Sequence, residues 1–225
     1  MTRFVLASQS PRRRQLLGLC GYPFQVMASK VDEESIDHPD PATNVLQTAR
    51  LKARAIYHDL SADAHFSKEP IIIIAADTIV ALEGKMLGKP AGPSAAANML
   101  QALRGCRHEV HTGMALVDLD TGAEVTAVHT AHVTMRAYSD SEIEHYVTSG
   151  DPLDKAGAYA IQDPLFRPVE SLEGCYLGVM GLSVCQLRQL LEQLQIPDLM
   201  NSEKLRAAHN HYPCPLLGKA RVDHK

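Results

Sequence analysis

The segment Ile71-Ile72-Ile73-Ile74-Ala75-Ala76 constrains the fold more than any other part of the chain. An uninterrupted apolar run, β-branched in its first four residues and lacking polar alternation, fits a strand covered on both faces at the centre of a sheet. Asp77-Thr78 stand at its exit, and Thr78 to Leu82 continue as a strand into a Glu83-Gly84 turn. A carboxylate at the carboxyl end of a central strand lies where open α/β sheets place their ligand crevice. Capping the next turn is the simpler alternative role for it.

The flanking segments supply helices and further strands. Phe4 to Ala7 reads as a short buried strand, followed by Ser10 as helix cap, Pro11 at the first helical position and an apolar stripe through Leu16, Leu17 and Cys20. A strand near Phe24 to Ala28 leads to the acidic loop Asp32-Glu33-Glu34, and Ala42 to His58 reads as a long helix before a loop from Ser61 to Pro70. Ser94 to Leu103 is a helix ended by Gly105, and two strands, Val110 to Leu119 and Glu124 to Met135, flank the turn Asp120-Thr121-Gly122. Ser139 and Glu142 form a capping box, a strand is expected around Phe166 to Leu172, and Leu182 to Leu194 is an amphipathic helix. Hairpin-like and crossover connections together predict an α/β fold with a mixed twisted sheet flanked by helices. Residues 1–196 form the expected domain, and 197–225 read as a loosely attached tail.

With 225 residues, 45% of them hydrophobic, the chain can bury a sizeable core. A net charge of -4 argues against coating nucleic acid or an anionic membrane, unless positive charge is concentrated at one place. Cys20, Cys106, Cys175, Cys185 and Cys214 are odd in number and widely spaced without a Cys-x-x-Cys pair, so neither a disulfide framework nor a zinc knuckle is indicated. A reducing, cytoplasmic setting is expected. The start has only a short apolar run before Arg12-Arg13-Arg14, the wrong order for a signal peptide, and no apolar stretch is long enough to span a membrane.

Several residues break a local rule. Arg12, Arg13 and Arg14 occupy the first turn of a helix, where the macrodipole favours anions. A bound triphosphate would reverse that sign, with Ser8 and Ser10 hydroxyls and helix N–H groups completing a cradle. Otherwise they are a solvated basic patch. Lys89 and Lys155 sit beside glycine and proline in loops that can approach phosphate oxygens, although no P-loop or Gly-x-Gly-x-x-Gly spacing is present. Asp32, Glu33 and Glu34 offer oxygen ligands for Mg²⁺ or Mn²⁺, or a solvated charge run. His108 and His111 lie three apart in a strand pattern and are read as structural rather than as a zinc motif.

Leu6-Ala7-Ser8-Gln9-Ser10-Pro11-Arg12-Arg13, Ala75-Ala76-Asp77-Thr78-Ile79-Val80, Leu87-Gly88-Lys89-Pro90 and Asp154-Lys155-Ala156-Gly157-Ala158-Tyr159-x-Ile161-Gln162 occur in the order and spacing of the Maf family of house-cleaning nucleotide pyrophosphatases, which this chain resembles up to about Leu194. The resemblance implies an elongated fold related to the inosine triphosphate pyrophosphatases, two lobes around a cleft, and commonly a homodimer. It implies divalent-metal-dependent cleavage of nucleoside triphosphates to the monophosphate and pyrophosphate. On the matched positions, Ser8, Arg12, Arg13, Lys52, Lys89 and Lys155 would bind phosphates, Asp77 would act as base, and Glu33 with Asp77 would hold Mg²⁺ or Mn²⁺. Arg13, Thr78 and Gln162 match the family members that resemble dTTP and UTP hydrolases, whereas relatives selective for 7-methyl-GTP differ there.

The chain departs from the family pattern at four places. Ala160 stands for a usual glycine, Asp163-Pro164 replace a glycine-rich stretch, Cys175 stands for serine, and Ser183 replaces a proline. These changes fall on the expected base end of the pocket. Two rival functions remain at this level: a non-catalytic nucleotide-binding regulator of septum formation, and an enzyme acting on the terminal phosphate.

Overall fold

The computed structural model describes residues 2–62 and 70–217. Seven strands form one mixed sheet: β1 (Arg3–Leu6), β2 (Phe24–Val26), β3 (Ile71–Leu82), β4 (Lys85–Leu87), β5 (Arg107–Asp118), β6 (Glu124–Met135) and β7 (Val169–Glu173). Their order is β2-β1-β3-β5-β6-β7, with β4 also paired to β3. β2, β1 and β3 run parallel, and the remaining pairs are antiparallel. The expected mixed α/β sheet is therefore present, with the isoleucine run at its centre.

Side-chain alternation along β3 divides that run between two cores. Ile71, Ile73 and Ala75 join a cluster with Ala49, Ala53, Ile56 and Leu60 of α2 (Pro41–Ser61). Ile72, Ile74 and Ala76 face the larger cluster, which also takes in α1 (Pro11–Leu17), α3 (Pro93–Leu103), α4 (Asp140–Thr148) and α6 (Val184–Gln193). The caps read from sequence are in place. Ser10 accepts from the Arg13 amide with Pro11 in the first turn of α1, and Ser139 and Glu142 form a reciprocal capping box on α4.

Asp77 does not stand at the end of a strand, because β3 runs straight through it and pairs Asp77 with Gly113. What ends nearby is β1, whose last residue, Leu6, lies opposite Ile74. The parallel half of the sheet stops just before Asp77, and the crevice opens beside an uninterrupted central strand. The strand expected from Phe166 instead begins at Val169. Asp163 Oδ1 accepts from the amides of Leu165 and Phe166, which folds the preceding segment into a turn.

The reading of 197–225 as a loose tail is corrected for the described part. Asn201 caps a further helix, α7 (Ser202–Ala208), and Met200, Leu205 and His209 are buried. Arg188 pairs with Asp198, and Tyr22 donates to the Pro197 carbonyl. Pro197, Pro213 and Pro215 suggested looseness, but Leu205 and the cap give the segment a packed face. Residues 63–69, most of the expected 61–70 loop, and 218–225 lie outside the described residues.

α2 crosses the sheet at Gly113, where a Cβ would stand 2.4 Å from the Val45 carbonyl oxygen. Backbone on both sides leaves little room to relax. Gly113→Ala is expected to destabilise the fold by about 1–3 kcal/mol or more, as overpacking does, read as a lower urea midpoint with an unchanged slope.

Candidate active site

Alternation along β3 puts Asp77 on the α2 side of the sheet, with Ala75, and turns Thr78 to the other side. On α2, Lys52 lies between Ala49 and Ala53, the residues that pack on the sheet, so its stem is buried and its ammonium reaches Asp77. Lys52 Nζ donates to Asp77 Oδ1 at 2.8 Å and pairs with Glu33 Oε2 at 2.6 Å. Glu33 comes from the acidic loop, where residues Glu33–Ser35 form a short 3-10 turn. The side chain of Glu34 lies outside the described residues.

Arg13 approaches from α1 and lies 4.0 Å from Asp77 Oδ1. Its Nε donates to the Gly181 carbonyl at 2.9 Å, while its other nitrogens donate to Ser8 Oγ and Thr78 Oγ1, each at 3.4 Å. Burial pulls the Arg13 pKa below the usual arginine value, and the charges of Asp77 and Glu33 oppose that shift. Thr78 Oγ1 is 3.0 Å from Thr112 Oγ1, which donates in turn to the Gly178 carbonyl. The pair Arg13 and Thr78 thus ties α1, β3 and the Val179–Gly181 wall together.

At the other end, Asp154 bridges two of the expected phosphate ligands. Its Oδ2 pairs with Arg12 at 3.2 Å and its Oδ1 with Lys155 at 2.7 Å. Burial raises the Asp154 pKa, but hydrogen bonds and charge from Lys155 and Arg12 outweigh it and leave the carboxyl below its usual range. Lys155 is also held by Asp151, which accepts from Tyr146. Asp154, and Asp151 that holds Lys155, are residues that sequence reasoning passed over; the signal was present as two acids in the four residues before Lys155-Ala156-Gly157. Lys89 is exposed and makes no ion pair among the described residues.

Ser8, Arg12, Arg13, Glu33, Lys52, Asp77, Thr78, Lys89, Lys155 and Gln162 all line one cavity of about 850 Å³. Such a volume accommodates a nucleotide-sized ligand. Five cations face three carboxylates in its lining, so the cavity is net positive in a chain that is net negative. The lining stops at Gln162, and Asp163 and Pro164 fall outside it. His108 and His111 do not converge: His108 contacts Tyr159 Oη at 2.8 Å, and His111 contacts Thr130 at 3.0 Å. They alternate to opposite sides of β5, as a structural reading requires.

Glu33 and Asp77 present two carboxylates to one point, now shared by a single ammonium. A hard divalent cation selects this oxygen chemistry, and the donor set fits one when substrate phosphates and water complete the shell.

A solved nucleoside-triphosphatase, a dITP/XTP pyrophosphatase from Mycobacterium abscessus, aligns over 60% of this chain and 75% of its own at 14% identity and a TM-score of 0.38, a partial likeness. Sequence relatives are far nearer. A dTTP/UTP pyrophosphatase of Moorella thermoacetica is 46% identical over 192 residues, 85% of this chain and 94% of that protein. Those of Alkalilimnicola ehrlichii and Caldicellulosiruptor saccharolyticus are 44% and 40% identical, over 85% and 90% of this chain and 92% and 100% of theirs. The family model described as Maf-like protein matches residues 3–194, and with the motifs around Ser8, Asp77, Lys89 and Lys155 gathered on one cavity, this chain belongs to the Maf family.

Proposed function

We propose that the chain hydrolyses nucleoside triphosphates, foremost dTTP, UTP and modified pyrimidine nucleotides, to the monophosphate and pyrophosphate. One observation carries the reading: a net-positive cavity is lined by every candidate site residue and holds Asp77 between the cations of Lys52 and Arg13. The names of the Moorella, Alkalilimnicola and Caldicellulosiruptor relatives support the choice of substrate.

Arg12, Lys89 and Lys155, with Ser8 and the α1 amides, receive the phosphates, and Arg13 and Lys52 offset charge that develops near the scissile bond. Asp77 orients or deprotonates the attacking water. Its Oδ1 is engaged by Lys52, and Oδ2 accepts no hydrogen bond among the described residues, which leaves it available to a water proton. Glu33 and Asp77 are the residues that would hold Mg²⁺ or Mn²⁺, a Lewis acid toward phosphoryl oxygens. Gln162 presents an amide with both donor and acceptor, suited to the imide edge of uracil or thymine. A cytoplasmic homodimer completes the proposal, with no nucleic acid or membrane partner.

Asp77→Asn is expected to lower turnover at least roughly a hundredfold, the low end of a general base's contribution, with the fold retained at lower stability because the buried Lys52 loses one charged partner. Near-normal turnover would remove Asp77 from the chemistry. Product analysis on the wild type separates the rival functions: pyrophosphate supports the proposal, orthophosphate points to the terminal phosphate, and binding without product points to a regulator.

Arg12→Ala removes a partly exposed pair with Asp154, worth no more than about 1 kcal/mol. Stability should therefore change little while kcat/KM falls. A variant that unfolds without nucleotide would instead make Arg12 structural.

Selectivity is tested by parallel assays at subsaturating substrate. kcat/KM for dTTP and UTP should exceed that for 7-methyl-GTP by about ten- to a hundredfold, the equivalent of one or two hydrogen bonds. A preference for 7-methyl-GTP would show that Arg13, Thr78 and Gln162 do not set the base.

A further inference from the structure

Three of the five cysteines that look scattered in sequence meet one histidine in space. Cys175 precedes the short helix α5 (Tyr176–Val179), Cys185 lies in the first turn of α6, and His209 and Cys214 come from the segment beyond the family match. His209 Nε2 is 3.5 Å from both Cys175 Sγ and Cys185 Sγ, and Cys214 Sγ is 3.8 Å from Cys185 Sγ. All four ligand atoms lie within 4.8 Å of one another, and Cys175, Cys185 and His209 are buried. We propose that Cys175, Cys185, His209 and Cys214 form a structural zinc site that fastens the C-terminal segment to the back of the nucleotide cavity.

Three of the six ligand spacings match this geometry, and the others lie within 4.8 Å. A tetrahedral zinc with bonds of about 2.3 Å to sulfur and 2.0–2.1 Å to nitrogen has S···S edges of about 3.8 Å and S···N edges of about 3.6 Å. The sulfurs stand apart as free thiols, and a disulfide would require about 2.05 Å. His209 Nδ1 lies 2.6 Å from the Leu205 carbonyl, which assigns its proton to Nδ1 and turns the Nε2 lone pair toward the sulfurs. Three thiolates and one imidazole select zinc over the hard cations of the nucleotide site. On binding, each thiol releases its proton to solvent as its sulfur–metal bond forms, with no change of oxidation state.

The site also has a mechanical consequence. Cys175 and Cys185 flank Val179, Met180 and Gly181, which line the cavity, and the Gly181 carbonyl holds Arg13. Zinc would brace that wall from behind through two helices, using ligands from a segment that the family match does not include.

The proposal stands independently of the substrate. Full-length, tag-free protein purified without chelator should contain one zinc per chain by elemental analysis, released stoichiometrically when the thiols are titrated with a mercurial. Reconstitution with Co²⁺ should give intense thiolate-to-cobalt charge-transfer and tetrahedral d–d bands. Cys214→Ser and His209→Gln should lose the zinc and expose the C-terminal segment to limited proteolysis, whereas Cys106→Ser, outside the cluster, should keep both. Should the ligand variants fail to fold, the zinc content and cobalt spectrum of the wild type decide alone. Metal-free native protein that gives no cobalt bands, a disulfide among these cysteines, or iron in place of zinc would overturn the assignment.

Discussion

The ammonium of Lys52, buried between the carboxylates of Asp77 and Glu33, is the interaction on which the site depends. A buried charge is tolerated when its partners are close and hydrogen-bonded, and removing one partner costs about 3–5 kcal/mol. Here the charges of Lys52 and Arg13 match those of Asp77 and Glu33 in one contact network. The fold is arranged to keep them together. α2 must lie close enough for Lys52 to reach, which requires glycine at 113; β3 must run unbroken, which places Asp77 on the α2 side; and the acidic loop must return over the helix to bring Glu33.

Much of this was legible in sequence because it rests on local signals. The isoleucine run identified the central strand, Ser10-Pro11 and Ser139-x-x-Glu142 fixed helix starts, and the residues named from the motifs all reached one cavity. What escaped depends on contacts between distant segments. Nothing local shows that β1 stops opposite Ile74 while β3 continues past Asp77. Asp163 looks like one more acid until its carboxylate caps the turn that delays β7 to Val169. The cysteines gave no spacing signal because Cys175 caps α5, Cys185 lies in α6, and His209 and Cys214 follow α7; zinc motifs are recognised by local spacing, and this cluster has little.

Charge pairing also changes how the basic start of α1 is understood. Three arginines in one short helix suggest mutual repulsion awaiting an anion, yet each of the two that line the cavity already has partners. Arg12 shares Asp154 with Lys155, and Arg13 is occupied by Ser8, Thr78 and the Gly181 carbonyl. The cradle is therefore preorganised by the protein rather than assembled by the ligand. Preorganisation reduces the ordering cost of binding, and a triphosphate arriving at Arg12 competes with a partly exposed carboxylate instead of meeting an unbalanced cation.

The four departures from the family pattern divide along the same line between cavity and support. Ala160 lines the cavity, where its amide donates to Tyr146 Oη at 3.0 Å. Asp163 and Pro164 lie beyond the lining and build a turn. Ser183 caps α6 by accepting from the Gln186 amide, and Cys175 enters the thiol and imidazole cluster. Three of the four changes thus alter what holds the Val179–Gly181 wall and the neighbouring turn, and leave Arg13, Thr78 and Gln162 facing the same cavity. Residues behind a pocket wall can change chemistry as long as the wall keeps its position, because a ligand reads only the surface it touches. On that argument all of the unusual residues except Ala160 belong to the scaffold, and base recognition is sought among the residues that line the cavity.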